Sequence, residues 1–301
     1  LADDRTEQLQ LTRTNGKRVT SAQAYLWPVL ERPNLKIRAA TTVARVRFDN
    51  RRATGVILND GSELEADHVV VCAGAIHSPV VLLRSGVDTP FVGSGLQDHP
   101  SVAFTLGLRE HAHHDAARLP IGTALHTYLG SDLMQLLPMS NLGPGPEATG
   151  LGSLMAALMT PTGHAGSVGI GHTGTPVIDF ALLEDPHDVD GLVAAAKLAI
   201  DLLDTPAFDE ITEQVYIDNQ GTTVETLSDS SSIREWVLGH CGDYVHATST
   251  CAMGTVVDED FMVKGYQNLY VCDASVFPSI PDANTHLPTT MVAERFGLRH
   301  G

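Results

Sequence analysis

Basic residues are scarce in this sequence. Its 301 residues include 19 lysines and arginines against 36 aspartates and glutamates, a formal net charge of -17 at pH 7. A surface this acidic repels phosphate backbones and anionic lipid head groups, so we expect neither nucleic acid nor a membrane surface as a partner. An acidic surface also keeps a protein soluble, without any further role.

Long apolar runs are missing as well. No stretch of the sequence reaches the roughly 18 residues that a membrane-spanning helix requires, so we predict no membrane span. Residues 1–20 are polar and of mixed charge. This is not the pattern of a secretory signal peptide, and we expect none.

Cysteine is rare, and the four cysteines form no CxxC pair. This spacing predicts no metal cluster. Cys72 and Cys272 fall in apolar runs, where a reduced thiol behaves as a small apolar side chain. We therefore expect a reducing compartment, the cytoplasm. His111, His113 and His114 lie in an irregular region and are interpreted as loop residues, so no metal site is predicted.

A dinucleotide-binding loop is also missing. The run from Gly169 to Gly174 fits the letters GxGxxG. Such a loop has to follow a strand and open a helix, so that the amides at the helix N-terminus meet the pyrophosphate. Here the run continues into Thr-Pro-Val-Ile-Asp, which is typical of a strand. We therefore reject this match.

The first hundred residues are rich in strand signals. Alternation from Leu35 to Phe48 and the run ATGVIL after it predict an antiparallel meander, and a buried strand follows from Val69 to Cys72. This strand ends in the small residues Ala73-Gly74-Ala75, which let a ligand or a helix approach the backbone. Ser78-Pro79 then predicts the start of a helix through Arg84.

The middle of the chain alternates between regular and irregular segments. Residues 101–110 alternate as a strand, and residues 110–165 lack a clear period. Two strands are predicted between residues 166 and 182. An amphipathic helix follows, with Leu192, Ala195, Ala199 and Leu202 on one face. A short helix before residue 241 leads into the last segment.

Two histidines in the last segment, residues 241–295, are not explained by core packing. His246 opens the run HATSTCAMG, and His286 lies in PDANTHLPTT before a helix predicted over Thr289 to Phe296. Between them a strand stops at Asp273. Both histidines lie beside the ends of regular elements, where loops carry chemistry on a rigid scaffold.

Several ordered motifs lie in this segment, and two others lie earlier in the chain. They are His246 with Thr250, Met253 and Gly254; Asp273-Ala274-Ser275 at a strand end; Asn284-Thr285-His286 with Pro288 and Thr289; and, upstream, AGA-x-x-SP from Ala73 and LQDHP from Leu96. This set resembles the glucose-methanol-choline (GMC) oxidoreductase family of flavoproteins. Ser249 departs from the family pattern, because the family usually has glycine at this position. The resemblance therefore does not predict the size of the substrate.

The resemblance implies a mixed α+β or α/β fold of the GMC type. Residues 1–100 would form part of an FAD-binding domain, and residues 101–235 a substrate-binding domain with an antiparallel sheet flanked by helices. Residues 236–301 would return to the FAD-binding domain with the catalytic segment.

The resemblance also implies FAD as the cofactor and a small alcohol as the substrate. His246 would be the general base for the hydroxyl proton, and His286 would hold the substrate oxygen while the flavin takes the hydride. The residues that would lie along the flavin are Val43, Ala73, Gly74, Asp273, Ala274, Thr285, His286, Pro288 and Thr289.

The family carries a true GxGxxG unit near its N-terminus, and this sequence has none. Three explanations are considered: one subunit of a heteromer whose second chain brings the N-terminal FAD-binding half, a fragment of a longer polypeptide, or a relative that no longer binds flavin. The first is favoured. In the first two cases the strand from Val69 to Cys72 would join a sheet with strands of another segment.

Two further functions stay open from the sequence. One is a flavin-containing lyase of the same fold that cleaves cyanohydrins, and the other is a non-catalytic subunit that stabilises its partner. The irregular residues 110–165 have no motif that identifies the alcohol or the electron acceptor.

Overall fold

The computed structural model describes residues 5–9, 11–115, 119–142 and 149–301. Their helices are α1 (Gly74–Arg84), α2 (Pro186–Leu203), α3 (Pro206–Ile211), α4 (Ser230–His240) and α5 (His286–His300). Short single turns of other helix types precede α1 or lie between the later helices. Among these helices, none combines the length and the apolar character needed to cross a bilayer.

The strands follow in chain order. They are β1 (Arg5–Gln8), β2 (Arg13–Thr14), β3 (Lys17–Arg18), β4 (Val43–Asp49), β5 (Arg52–Leu58), β6 (Glu63–Glu65), β7 (Val69–Val71), β8 (Ser94–Leu96), β9 (Ser101–Leu108), β10 (Thr123–Leu129), β11 (Asp132–Met139), β12 (Leu151–Leu158), β13 (Gly166–Ile170), β14 (Pro176–Asp179), β15 (Thr212–Tyr216) and β16 (Leu269–Val271).

The largest sheet is antiparallel and has six strands, in the order β1-β10-β11-β12-β9-β15. The α2 and α4 helices cover it, and the core between them contains the fully buried Phe104, Leu154 and Leu192. The apolar face predicted for α2 is confirmed at Leu192, Ala195 and Ala199. At its last turn Leu203 is buried and Leu202 only half-buried. The predicted mixed fold with an antiparallel sheet flanked by helices is confirmed.

A second core joins the first hundred residues to the last sixty. It contains Val46 of β4, Leu82 of α1, Leu269 of β16 and Val292 of α5. The β4, β5 and β6 strands form the predicted antiparallel meander, and β7 pairs in parallel with β16. The two chain segments of this core are thus more than 150 residues apart in sequence. The domain boundaries at residues 100 and 235 stay a prediction.

Three element boundaries differ from the sequence prediction. The first strand of the meander begins at Val43 and not at Leu35, because the intervening residues are exposed and alternate without a buried face. The α5 helix begins at His286, and Pro288 lies in its first turn, where a missing N–H costs nothing.

The α1 helix begins at Gly74, before the predicted start at Ser78, and Pro79 lies inside it. Proline cannot donate the usual hydrogen bond to the carbonyl four residues earlier. That carbonyl belongs to Ala75, and the Thr250 hydroxyl donates to it at 2.6 Å. A side chain of the last segment therefore fills the gap in this helix.

The Gly169–Gly174 run forms a hairpin turn. It joins β13 to β14, which pair antiparallel, and β8 pairs with the other side of β13. The element directly after the run is the β14 strand and not a helix. The rejection of this GxGxxG match is confirmed.

Candidate active site

His246 lies in a loop after α4 that a buried carboxylate anchors. The Asp98 Oδ2 atom accepts the backbone N–H of His246 at 2.8 Å, and its Oδ1 atom accepts those of Tyr244 at 3.0 Å and His99 at 2.7 Å. Burial raises the pKa of Asp98 to about 6. Three charge-assisted bonds therefore hold the backbone on both sides of this loop, and the carboxylate contacts the backbone of His246 and not its ring.

The loop backbone is strained beside His246. Val245 has φ +57, in the left-handed region, and its side chain is exposed. A β-branched residue rarely adopts this conformation. The backbone N–H of Val245 donates to Asp243 Oδ2 at 3.2 Å, which helps to hold it there. Strain of this kind is often found at functional loops.

The His246 ring is in contact with a second histidine. Its Nδ1 atom lies 3.0 Å from Nδ1 of His99, and the two rings meet edge to face at 88°. His99 is fully buried, and burial lowers its pKa to about 4. Burial also lowers the pKa of His246 below its ordinary 6.5. Both rings are therefore neutral at neutral pH.

A polar side-chain cluster surrounds the other nitrogen of His246. Asn284 Nδ2 lies 3.4 Å from His246 Nε2, and Gln135 of β11 approaches Asn284 Oδ1 at 3.4 Å. The buried Tyr244 hydroxyl donates to Gln135 Oε1 at 2.8 Å. The six-stranded sheet and the last segment of the chain thus meet at His246.

His286 is the first residue of α5, and its side chain is exposed. Within the described residues, the hydrogen bond that the 281–289 segment makes to the His246 ring comes from Asn284. The structure thus does not bring the His286 ring into a hydrogen bond with His246. Its role as the group that holds the substrate oxygen stays a prediction.

The predicted cofactor residues of the two parallel strands lie together. The Gly74 N–H donates to Asp273 Oδ2 at 2.9 Å, so the ends of β7 and β16 are joined directly. Ala73 is exposed, and Gly74 has φ +78 with open space where a side chain would be. This strand edge is free of side-chain bulk and fits the approach of a large group to the backbone.

Asp273 is fully engaged within the chain. Besides Gly74, its carboxylate accepts the Ser78 hydroxyl at 2.5 Å and the Ser275 N–H at 2.8 Å. It therefore shapes the strand ends and caps the turn that contains Ala274. A direct bond from this carboxylate to a cofactor stays a prediction.

The remaining predicted residues lie at two other places. Thr285 precedes α5 and is buried, while Pro288 and Thr289 form its half-buried first turn, beside a helix N-terminus that favours negative charge. Val43 begins β4 and pairs with Leu58. It therefore lies on the three-stranded sheet and not on the strand pair that carries Ala73 and Asp273.

The hydroxyl of Ser249 is held by hydrogen bonds to neighbouring residues. Its φ is +75, which favours glycine, and its side chain is buried. The hydroxyl donates to Gln97 Oε1 at 3.3 Å, and its oxygen lies 3.1 Å from Thr248 Oγ1. These bonds hold the hydroxyl against residues 97 and 248.

Sequence reasoning missed the roles of Asp98, His99 and Asn284. The first two entered only as part of the LQDHP motif. The sequence signal that could have found them is the run of three polar residues, Gln97 to His99, between Leu96 and Pro100. All three are buried in the structure. Buried polar residues of this kind are usually hydrogen-bonded and specific.

The chain matches two family models, both described as GMC oxidoreductase, over residues 5–101 and 161–293. An uncharacterised GMC-type oxidoreductase of Rhodococcus erythropolis is 31% identical over 96% of this chain and 61% of its own length. The 5-(hydroxymethyl)furfural oxidase of Methylovorus sp. (strain MP688) is 28% identical over 93% and 60%. The alcohol dehydrogenase [acceptor] of Pseudomonas putida is 26% identical over 95% and 61%.

Solved structures show the same fold. Pyridoxine 4-oxidase from Mesorbium loti superposes with a TM-score of 0.84 at 23% identity, covering 98% of this chain and 64% of that one. Formate oxidase of Aspergillus oryzae gives 0.80 at 20% identity, covering 96% and 64%. Because the two family models together match more than half of this chain, it belongs to the GMC oxidoreductase family, whose cofactor is FAD. It spans about 60% of the length of the curated relatives it matches.

Proposed function

We propose that this chain carries the catalytic segment of an FAD-dependent enzyme that oxidises an alcohol. The observation that supports this most is the state of His246: its ring is neutral and half-buried, and its loop is fixed by Asp98. A histidine held in this way can take a proton near neutral pH. Relatives named as an oxidase of 5-(hydroxymethyl)furfural, an alcohol dehydrogenase and choline dehydrogenases support the same chemistry.

In this proposal His246 removes the proton from the substrate hydroxyl. His286 and Asn284 hold the substrate oxygen, and their polar groups stabilise the negative charge that develops there. FAD, when bound, supplies the acceptor for the hydride. Ala73, Gly74, Asp273 and Ala274 would hold it at the ends of the parallel strands, with Thr285, Pro288 and Thr289 at the N-terminus of α5 and Val43 at the start of β4.

The base is tested by His246→Gln in the flavin-loaded protein. We expect the rate of flavin reduction by the alcohol to fall roughly 10²-fold or more, with the flavin content unchanged. His172→Gln, at an exposed turn of the β13–β14 hairpin, is the matched control and keeps the wild-type rate. An unchanged rate in His246→Gln would support a non-catalytic subunit.

We further propose that a second chain supplies the rest of the FAD-binding half. Val70 of β7 is 40% exposed, and among the described residues β7 pairs with β16 alone. An unpaired strand edge of this kind favours addition of further strands. Native mass spectrometry with a visible spectrum tests this: a second polypeptide with bound flavin is expected. Flavin in a particle with one longer polypeptide would contradict it.

The four cysteines are free thiols, and Cys72 and Cys272 directly follow the neighbouring strands β7 and β16. We propose a reducing compartment, the cytoplasm, on this ground.

A further inference from the structure

The chain of contacts behind His246 determines where protons lie. The Nε2 atom of His99 is 3.0 Å from the carbonyl oxygen of Pro281. A carbonyl oxygen can only accept, so His99 Nε2 carries a hydrogen and donates it. The ring is fully buried and neutral. A neutral imidazole has one N–H, so Nδ1 of His99 is an acceptor.

The next contact then has a single direction. His99 Nδ1 and His246 Nδ1 are 3.0 Å apart. Since His99 Nδ1 accepts, His246 Nδ1 must carry the hydrogen and donate it. In neutral His246 the remaining nitrogen, Nε2, keeps its lone pair. This is the nitrogen that faces Asn284 at the meeting point of the sheet and the last segment.

We propose that His99 is a positioning residue that sets the tautomer of His246, so that Nε2 is the atom that takes the substrate proton. The chain from the Pro281 carbonyl through His99 to His246 does this with hydrogen bonds alone. The inference rests on the proposed function, since it deepens the role of His246 as the base.

The same contact assists the proton transfer. When the substrate O–H bond breaks and an N–H bond forms at His246 Nε2, the ring becomes a cation. Its Nδ1–H still donates to the neutral His99, and hydrogen bonds from a charged donor are stronger than neutral ones. Asp98 contacts the backbone of His246 and not the ring. His99 is therefore the group behind the base, where many enzymes place a carboxylate.

The tautomer is measured by NMR of the full, flavin-loaded protein labelled with ¹⁵N at the histidine rings. The spectrum is recorded at a mildly alkaline pH, where both rings are neutral, and His246→Gln assigns the two His246 signals. We expect a protonated Nδ1 and an unprotonated Nε2 in the wild type. A protonated Nε2 in the wild type would overturn the proposal without any variant.

Two variants of His99 separate positioning from packing. His99→Asn places an amide oxygen near the position of Nδ1, so we expect the wild-type tautomer and activity within a few-fold of wild type. His99→Phe keeps a ring but has no acceptor; we expect protonated Nε2 to appear in His246 and kcat for flavin reduction to fall about 10²-fold. The ring centroids of Tyr244 and His246 are 4.9 Å apart. Tyr244→Phe therefore controls for altered packing beside His246, and we expect it to leave the tautomer unchanged.

A protonated His246 Nδ1 in His99→Phe, or equal losses of kcat in both variants with one tautomer, would overturn the positioning role. If no alcohol reduces the wild-type flavin, the proposed function fails. A change of the His246 tautomer in His99→Phe alone still supports the role of His99 in that case, so the two failures are distinguishable.

Discussion

At the residue scale, the site is built from neutral groups that surround one buried charge. Asp98 is 2% exposed and binds three backbone N–H groups. The rings of His99 and His246 stay uncharged because burial disfavours their protonated forms. In the proposed mechanism, a proton taken by His246 is therefore easily released again, as repeated turnover requires.

This gives a pH prediction. The proposed base, His246, can take a proton only when it is neutral, and burial lowers its pKa below 6.5. Activity should therefore rise with pH, reach a plateau, and have its inflection below 6.5. The measurement is kcat/KM for alcohol oxidation across the acid and neutral range. An inflection above 6.5 would mean that a neighbouring charge, and not burial, dominates the pKa of His246.

Ser249 gives a second prediction at this scale. Its φ of +75 is strained for any residue with a side chain. Ser249→Gly and Ser249→Ala both remove the hydroxyl bonds, but only glycine also removes the strain. We expect Ser249→Gly to be more stable than Ser249→Ala by about 1 kcal/mol in the free energy of unfolding. Chemical denaturation of both variants measures it, and equal stabilities would show that the loop relaxes freely.

At the element scale, the site is held by connections between short strands. Gly93 precedes β8; its N–H donates to the Thr250 carbonyl at 2.8 Å, and its carbonyl accepts from Val168 N–H at 2.7 Å. It thus ties β13 to the segment that follows His246. Thr250 in turn completes α1 at Ala75. Elements distant in sequence become one support for the catalytic loop.

The close approach at Gly93 is testable. A Cβ at Gly93 would lie 2.1 Å from the Val168 carbonyl oxygen, whereas one at Gly95 would lie 3.8 Å from its nearest neighbour. Their φ values are similar, +84 and +79. Gly93→Ala and Gly95→Ala share the backbone penalty of about 1–2 kcal/mol. We expect Gly93→Ala to lower Tm clearly further, and equal Tm values would contradict the close approach.

The sequence predicted elements well where the residue pattern alone decides the structure. The α2 face at Leu192, the β7 strand and the hairpin at Gly169 follow from periodicity and turn residues. It failed where tertiary contacts decide. The early start of α1 depends on Thr250, and the contact between His99 and His246 joins residues 147 positions apart. Likewise, only the folded loop shows that Asn284 is the hydrogen-bond partner of His246 Nε2.

At the scale of the whole molecule, the described chain contains two main cores. One lies between the six-stranded sheet and its helices, and the other includes β7, β16, α1 and α5. His246 lies beside both, because Asp98 binds its backbone N–H and Gln135 of the six-stranded sheet bonds to Asn284, which bonds to the His246 ring.

In the proposed reaction an alcohol reduces the flavin, with His246 as the base. The most direct measurement is the visible spectrum of the flavin-loaded protein, mixed without oxygen with a panel of small primary alcohols. We expect at least one alcohol to bleach the oxidised-flavin band in the wild type and His246→Gln to slow this roughly 10²-fold or more. A flavin that no alcohol bleaches, in a protein that cleaves a cyanohydrin, would instead identify a lyase.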